Sequence, residues 1–149
     1  MKDLLIMNGP NLNLLGKREP EVYGSANFEE ILDQIKADMG ELLLPYRLHY
    51  FQSNHEGALL DQLHAVGFDY LGIVFNPGAY AHTSIALADA VRGISRPVVE
   101  VHISNVHQRE AYRRHSYMAE AAVGVISGLG WRGYALGLRY LIEQFGQEV

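Results

Sequence analysis

The chain has 149 residues, no cysteine, a formal net charge of −5, and 48% hydrophobic against 19% charged residues. Such a length suits a single domain that buries about two-thirds of the surface its unfolded chain exposes, and excludes two catalytic domains. The missing cysteines exclude a disulfide scaffold, thiol catalysis and any cysteine-ligated zinc or iron–sulfur centre.

In chain order, Leu4 to Met7 (LLIM) reads as a buried strand that stops at Asn8-Gly9. Gly9 to Ala26 follows with neither helical nor strand periodicity, and its later part, about 16–26, has the character of a lid. Asn27 is placed to cap a helix running to about Leu44, with Phe28, Ile31, Leu32 and Ile35 on one face, and Pro45 breaks it. Arg47 to Phe51 is a second strand and Gly57 to Val66 a second helix. Tyr70 to Phe75 (YLGIVF) is a third strand, stopped by Asn76-Pro77-Gly78. Thr83 or Ser84 caps a helix through Val91, and Pro97 to Val101 is a fourth strand. Arg109 to Ser116 is expected as a short helix, Ala122 to Ile126 as a fifth strand, and Trp131 to Phe145 as a closing helix.

Alternating strands and helices, with continuous apolar strands, argue for an α/β protein whose parallel sheet is covered on both faces. At this length the expected form is a flavodoxin-like three-layer sandwich, strand order 2-1-3-4-5, in one domain over residues 1–149. Ligands in such sheets sit beyond the carboxyl ends of the strands. Those ends carry Asn8 to Asn13, Gln52 to Glu56, Asn76 to His82, and His102 to Asn105. Asparagine, histidine and serine recur there, whereas the amino ends offer Lys2, Tyr46, Asp69 and Arg96.

Two arrangements at these ends are pointed. Arg18 and Tyr23 share the lid, either as plain surface residues or as a guanidinium that favours the phenolate and makes it a base. Glu100-Val101-His102 puts a carboxylate and an imidazole on one face of a strand end. That pair is either a buried hydrogen bond or an oriented general acid. The charges point to a small anion as ligand. Of twelve basic residues nine are arginine, and the window His102 to Ser116 carries net +2 while the remainder carries −7. Arginine suits forked contacts with carboxylates. A mildly acidic chain without a basic block is a poor partner for nucleic acid. Only four apolar residues lie between Asp3 and Asn8. Neither a secretory signal nor a membrane span is therefore expected, and the protein is expected in the cytoplasm.

Other motifs fail on their context. Gly128-Leu129-Gly130-Trp131-Arg132-Gly133 fits GxGxxG, but only sixteen residues follow it, too few for the second half of a dinucleotide fold. It reads instead as a tight turn with close packing of helix on sheet. Gly9 to Lys17 has the wrong glycine spacing for a P-loop, and Arg18 stands where Ser or Thr would bind magnesium. Seven histidines occur without HExxH or a matching carboxylate, so no metal is expected.

Asn8 to Gly24 (NGPNLNLLGKREPEVYG), Gln52 to Gly57 (QSNHEG), Asn76 to Ser84 (NPGAYAHTS) and Glu100 to Tyr117 (EVHISNVHQREAYRRHSY) together resemble the type II 3-dehydroquinate dehydratases. The resemblance runs through the whole chain in order, including the GVISGLGWRGY tail. It departs at Ala58, where an acid is common, and at Gln108, where alanine is common. The resemblance implies dehydration of 3-dehydroquinate to 3-dehydroshikimate in the shikimate pathway, by anti elimination through an enolate. By that likeness Tyr23, as tyrosinate, takes the axial C2 proton, with Arg18 keeping it deprotonated, and Asn11 holds a water on the enolate oxygen. His102, oriented by Glu100, protonates the departing hydroxyl near Asn76. Ile103 and Ser104 bind the substrate carboxylate, His82 and Arg113 hold ring hydroxyls, and Asp89 reaches in from an adjacent subunit. The family also implies trimers packed into dodecamers, and no cofactor.

The alternative is a non-catalytic flavodoxin-like domain that binds a small molecule. A phospho-receiver needs acids where this chain has Asn8 and Asn76, and a flavodoxin needs a Ser/Thr-rich loop where it has Pro10-Asn11-Leu12. A Schiff-base route to the same product needs a lysine at the site. Of Lys2, Lys17 and Lys36 only Lys17 lies on the lid. Borohydride added with substrate is therefore expected to leave activity intact, and substrate-dependent inactivation would overturn the enolate route.

Overall fold

In a computed structural model describing residues 1–147, five parallel strands form one sheet. They are β1 (Lys2–Asn8), β2 (Tyr46–Gln52), β3 (Gly72–Asn76), β4 (Val98–His102) and β5 (Gly124–Ser127), in the order 2-1-3-4-5. The helices are α1 (Pro20–Tyr23), α2 (Phe28–Met39), α3 (Glu56–Val66), α4 (Ile85–Gly93) and α5 (Arg132–Phe145). Side chains alternate across a strand, so a strand apolar throughout feeds two cores. Leu4 and Ile6 of β1 join Val74 and Val99 under α2 and α5. Leu5 and Met7 join Ile73 and Phe75 under α3 and α4. This is the expected flavodoxin-like three-layer sandwich.

Elements differ from expectation mainly at their ends. The strands run one residue further than their apolar cores, so Asn8 pairs in register with both Gln52 and Asn76. His102 likewise lies opposite Ser127. Polar side chains from adjacent strands are thereby aligned along one rim. Asn27 caps α2 through a bond from the Glu30 N–H, as expected, but the α-helix stops at Met39. Gly40, at φ 53°, ends it, and a 3-10 turn over Gly40–Leu43 completes the segment. Ser84 rather than Thr83 caps α4. The fifth strand starts two residues later than expected, because the Ala121 and Ala122 N–H groups both bond back to Met118 O. The expected helix over 109–116 is instead a single 3-10 turn at Ala111–Arg113, and another at Val106–Gln108 precedes it. The stretch after β1 is not structureless. It contains a 3-10 turn at Leu12–Leu14 and then α1, with Pro20 at its first position.

Helix α5 lies close on the sheet through its glycines. A Cβ on Gly137 would stand 3.1 Å from Val74 Cγ2, and one on Gly133 would stand 3.2 Å from Val101 Cγ1. That approach brings the fully buried Tyr134 to the rim. Its hydroxyl donates to Asn8 Oδ1 at 2.8 Å and accepts from Asn76 Nδ2 at 2.9 Å, while Asn8 Nδ2 donates to Tyr50 Oη at 3.3 Å. Burial pushes the Tyr134 phenol far above its ordinary range, so it acts as a neutral linker. At the opposite end of the sheet, Asp3 accepts from Arg47 Nε and Nη2 at 2.8 and 3.0 Å. These bonds, with His49, lower its carboxyl to about 2. Replacing Tyr134 by Phe keeps the packing but strands two buried amide groups, and should cost about 1–3 kcal/mol in urea unfolding. An unchanged unfolding midpoint would show that the linkage carries no stability.

Candidate active site

The loops beyond the carboxyl rim enclose a cleft of about 160 Å³. From the loop after β1 comes Asn11, in the left-handed conformation at φ 68°. Its N–H donates to Asn54 Oδ1 at 3.0 Å, and Gln52 Nε2 donates to Gly9 O at 3.1 Å, tying this loop to the end of β2. From the end of β3 comes Asn76, whose Oδ1 accepts from the Gly78 N–H at 3.1 Å. That Asx turn and the bond to Tyr134 fix its amide at the cleft wall. His82 follows, its Nδ1 2.7 Å from His115 O. The carbonyl accepts, so Nδ1 carries the proton. Burial lowers the pKa of His82, with the carbonyl opposing, and keeps the imidazole neutral.

The end of β4 supplies the most deeply held pair. Glu100 is 1% exposed and His102 6% exposed. His102 Nε2 stands 2.5 Å from Glu100 Oε2. Ser116 Oγ lies 2.9 Å from each Glu100 oxygen, so a hydroxyl also supports the carboxylate. A charge this deep is tolerated because both partners satisfy it. With Nε2 committed to Glu100, Nδ1 is the nitrogen left to serve the cleft. The His82 and His102 rings are nearly parallel, with centroids 6.1 Å apart. Ile103 and Ser104 follow on the cleft wall, held by bonds from Gly130 N–H to Ile103 O at 3.1 Å and Ser127 Oγ to Ser104 O at 3.3 Å.

The lid and the loop after β4 meet at Tyr23. Arg109 Nη1 donates to the Tyr23 hydroxyl at 2.6 Å. The Arg109 and Arg18 guanidinium carbons lie 5.6 and 5.7 Å from the ring centroid. The expectation put Arg18 alone beside the phenol. It is Arg109 that reaches the oxygen, and Arg18 pairs with Glu19 at 3.2 Å. Arg113 is held by its own Glu110, Nε to Oε2 at 2.6 Å.

One cleft thus gathers Asn11, Arg18, Tyr23, Asn76, His82, His102, Ile103, Ser104 and Arg113, with Glu100 behind His102. Asp89 is not among them. It lies on α4, paired with Arg92 at 3.4 Å, beside a separate groove with Leu60 and Phe68. Arg109, Ser116 and Glu19 were not singled out from the sequence. Arg109 was legible only as part of a local arginine excess, and nothing in the fifteen residues between Glu100 and Ser116 signals that those two side chains meet. Among the described residues no cluster of three His, Cys, Asp or Glu side chains forms a metal site, and no helix is long and apolar enough to cross a membrane.

The sequence model of Dehydroquinase class II matches residues 2–142. A "3-dehydroquinate dehydratase" of Ralstonia pickettii is 50% identical over 151 residues, spanning 98% of this chain and 94% of its own length. A "Catabolic 3-dehydroquinase" of Pyricularia oryzae is 48% identical, spanning 95% of this chain and 90% of its own. Among solved structures, a type II dehydroquinase from Propionibacterium acnes superposes with a TM-score of 0.90 at 36% identity, over 97% of this chain and 98% of that one.

Proposed function

The chain belongs to the class II dehydroquinase family and is a hydro-lyase acting as a 3-dehydroquinate dehydratase, and from that premise we propose how its cleft removes water. The reaction is an anti elimination through an enolate, giving 3-dehydroshikimate. The observation that carries this reading is the pairing of two proton-transfer groups on separate segments of one cleft. Tyr23 on the lid bears Arg109 on its hydroxyl at 2.6 Å, and His102 at the end of β4 bears Glu100 at 2.5 Å.

A C–H beside a ketone is a weak acid, so it needs both a strong local base and a stabilised enolate. A guanidinium donating to a phenol oxygen favours the phenolate. Tyr23 then takes the axial C2 proton, with Arg109 and Arg18 flanking it. Asn11 holds a water against the enolate oxygen, and oriented donors of this kind contribute about 3–4 kcal/mol each. His102 gives its cleft-side proton to the C1 hydroxyl, which leaves as water, while Glu100 keeps the ring oriented and stabilises its charged form. Tyr23 has then gained one proton and His102 lost one, and exchange with solvent resets both.

Ile103 and Ser104 receive the substrate carboxylate through backbone and hydroxyl donors. Arg113 and the neutral His82 hold the ring hydroxyls, beside the fixed amide of Asn76. Asp89 serves the cleft of an adjacent subunit, since its groove lies apart from the cleft of its own chain. The assembly is a dodecamer built from trimers in the cytoplasm, working in the shikimate pathway without cofactor. Closure of the lid excludes water that would otherwise reprotonate the enolate.

Tyr23→Phe should lower turnover by about 10²-fold or more, read from the ultraviolet absorbance of the conjugated product, while substrate still binds. More than a few per cent of residual activity would remove Tyr23 from the role of base.

A further inference from the structure

Glu19 is a carboxylate of the lid that the mechanism above does not use. Its Oε2 is buried and makes no aligned hydrogen bond. It stands 3.2 Å from Arg18 Nη2 and 3.9 Å from Arg109 Nη2, between the two guanidiniums that flank Tyr23. The backbone is committed to this placement as well. Glu19 adopts the left-handed conformation at φ 43°, which a residue with a long side chain occupies only when its surroundings enforce it. Its carbonyl accepts from the Val22 and Tyr23 N–H groups at 2.9 and 3.1 Å, so the turn that sets Oε2 between the guanidiniums also launches the helix that ends in Tyr23.

We propose that Glu19 is a positioning residue that latches the lid to Arg109 and sets the charge balance at Tyr23. This role rests on Tyr23 being the base. Two cations crowd one phenol, and without a counter-charge they repel each other across the seam between lid and loop. With Glu19 present and Tyr23 as tyrosinate, two cations face two anions. With Tyr23 as neutral phenol, one cation is unmatched. The closed lid is therefore favoured more by the tyrosinate than by the phenol, and closure and deprotonation are linked. Arg18 and Tyr23 face Glu19 from its own segment and Arg109 from the loop after β4. Arg113, His82 and His102 line the same cleft.

The sign of the test follows. Removing the negative charge makes closure harder, but wherever the lid is closed it leaves both guanidiniums beside Tyr23 without a counter-charge, which favours the phenolate further. Glu19→Gln should move the acid limb of the kcat profile, which reports the substrate-bound enzyme with its lid closed, to lower pH by about 0.5 to 2 units. It should also raise KM about two- to five-fold. Glu19→Asp, which keeps the charge, should leave the limb in place. A limb that stays put or moves up in Glu19→Gln overturns the proposal, as does a change confined to thermal stability. Tyr23→Phe measured alongside separates the two readings. If it is inactive while Glu19→Gln has an unmoved limb, only the role of Glu19 fails. If it is active with its acid limb intact, the base reading fails first.

Discussion

Parallel strands begin at one side of a sheet and end at the other, so whatever terminates them is gathered on a single rim. Here β1, β2, β3 and β4 end in Asn8, Gln52, Asn76 and His102, and the register sets Asn8 opposite both Gln52 and Asn76. Polar ends that meet inside a three-layer sandwich must be satisfied without water. The hydroxyl of Tyr134 does this from α5, joining Asn8 to Asn76, and α5 comes near enough only because Gly133 and Gly137 present no Cβ to the sheet. The cleft therefore has a rigid floor, and its walls are loops anchored to that floor by short backbone bonds.

On that floor the two groups proposed to transfer protons are built differently. His102 belongs to a strand end and is deeply buried, its ring held by a carboxylate that Ser116 also holds. Tyr23 belongs to a four-residue helix on a lid, and its partner Arg109 comes from another segment 86 residues away in sequence. The proposed acid is thus positioned by the fold, whereas the proposed base is completed only where lid and loop meet. Such a division suits a reaction that must admit a substrate and then exclude water. It also places three charged side chains, Arg18, Glu19 and Arg109, at the seam between lid and loop.

The architecture was legible in the sequence because apolar runs such as Leu4 to Met7 and Tyr70 to Phe75 lie between turn residues, and strand order follows from chain length and alternation. Strand ends were less legible, since Asn8 and Asn76 continue the ladder despite being polar. Nine of the eleven residues expected at the site do line one cleft, and Glu100 stands directly behind it. Their motifs sit at strand ends, where topology alone brings them together. Arg109, Ser116 and Glu19 were missed for one physical reason: each acts through a contact across segments, and spacing along the chain carries no record of it. Asp89 lies away from its own chain's cleft, beside a separate groove.

The central claim is that proton removal and loss of water are separate steps performed by separate groups. It is tested most directly by incubating the His102→Ala enzyme with 3-dehydroquinate in deuterated water and following the substrate by NMR. The account predicts that Tyr23 still forms and reprotonates the enolate, so the C2 position takes up deuterium while product formation falls about 10²-fold or more. Loss of exchange in step with loss of product would contradict it, because removal of the C2 proton would then require His102 as well.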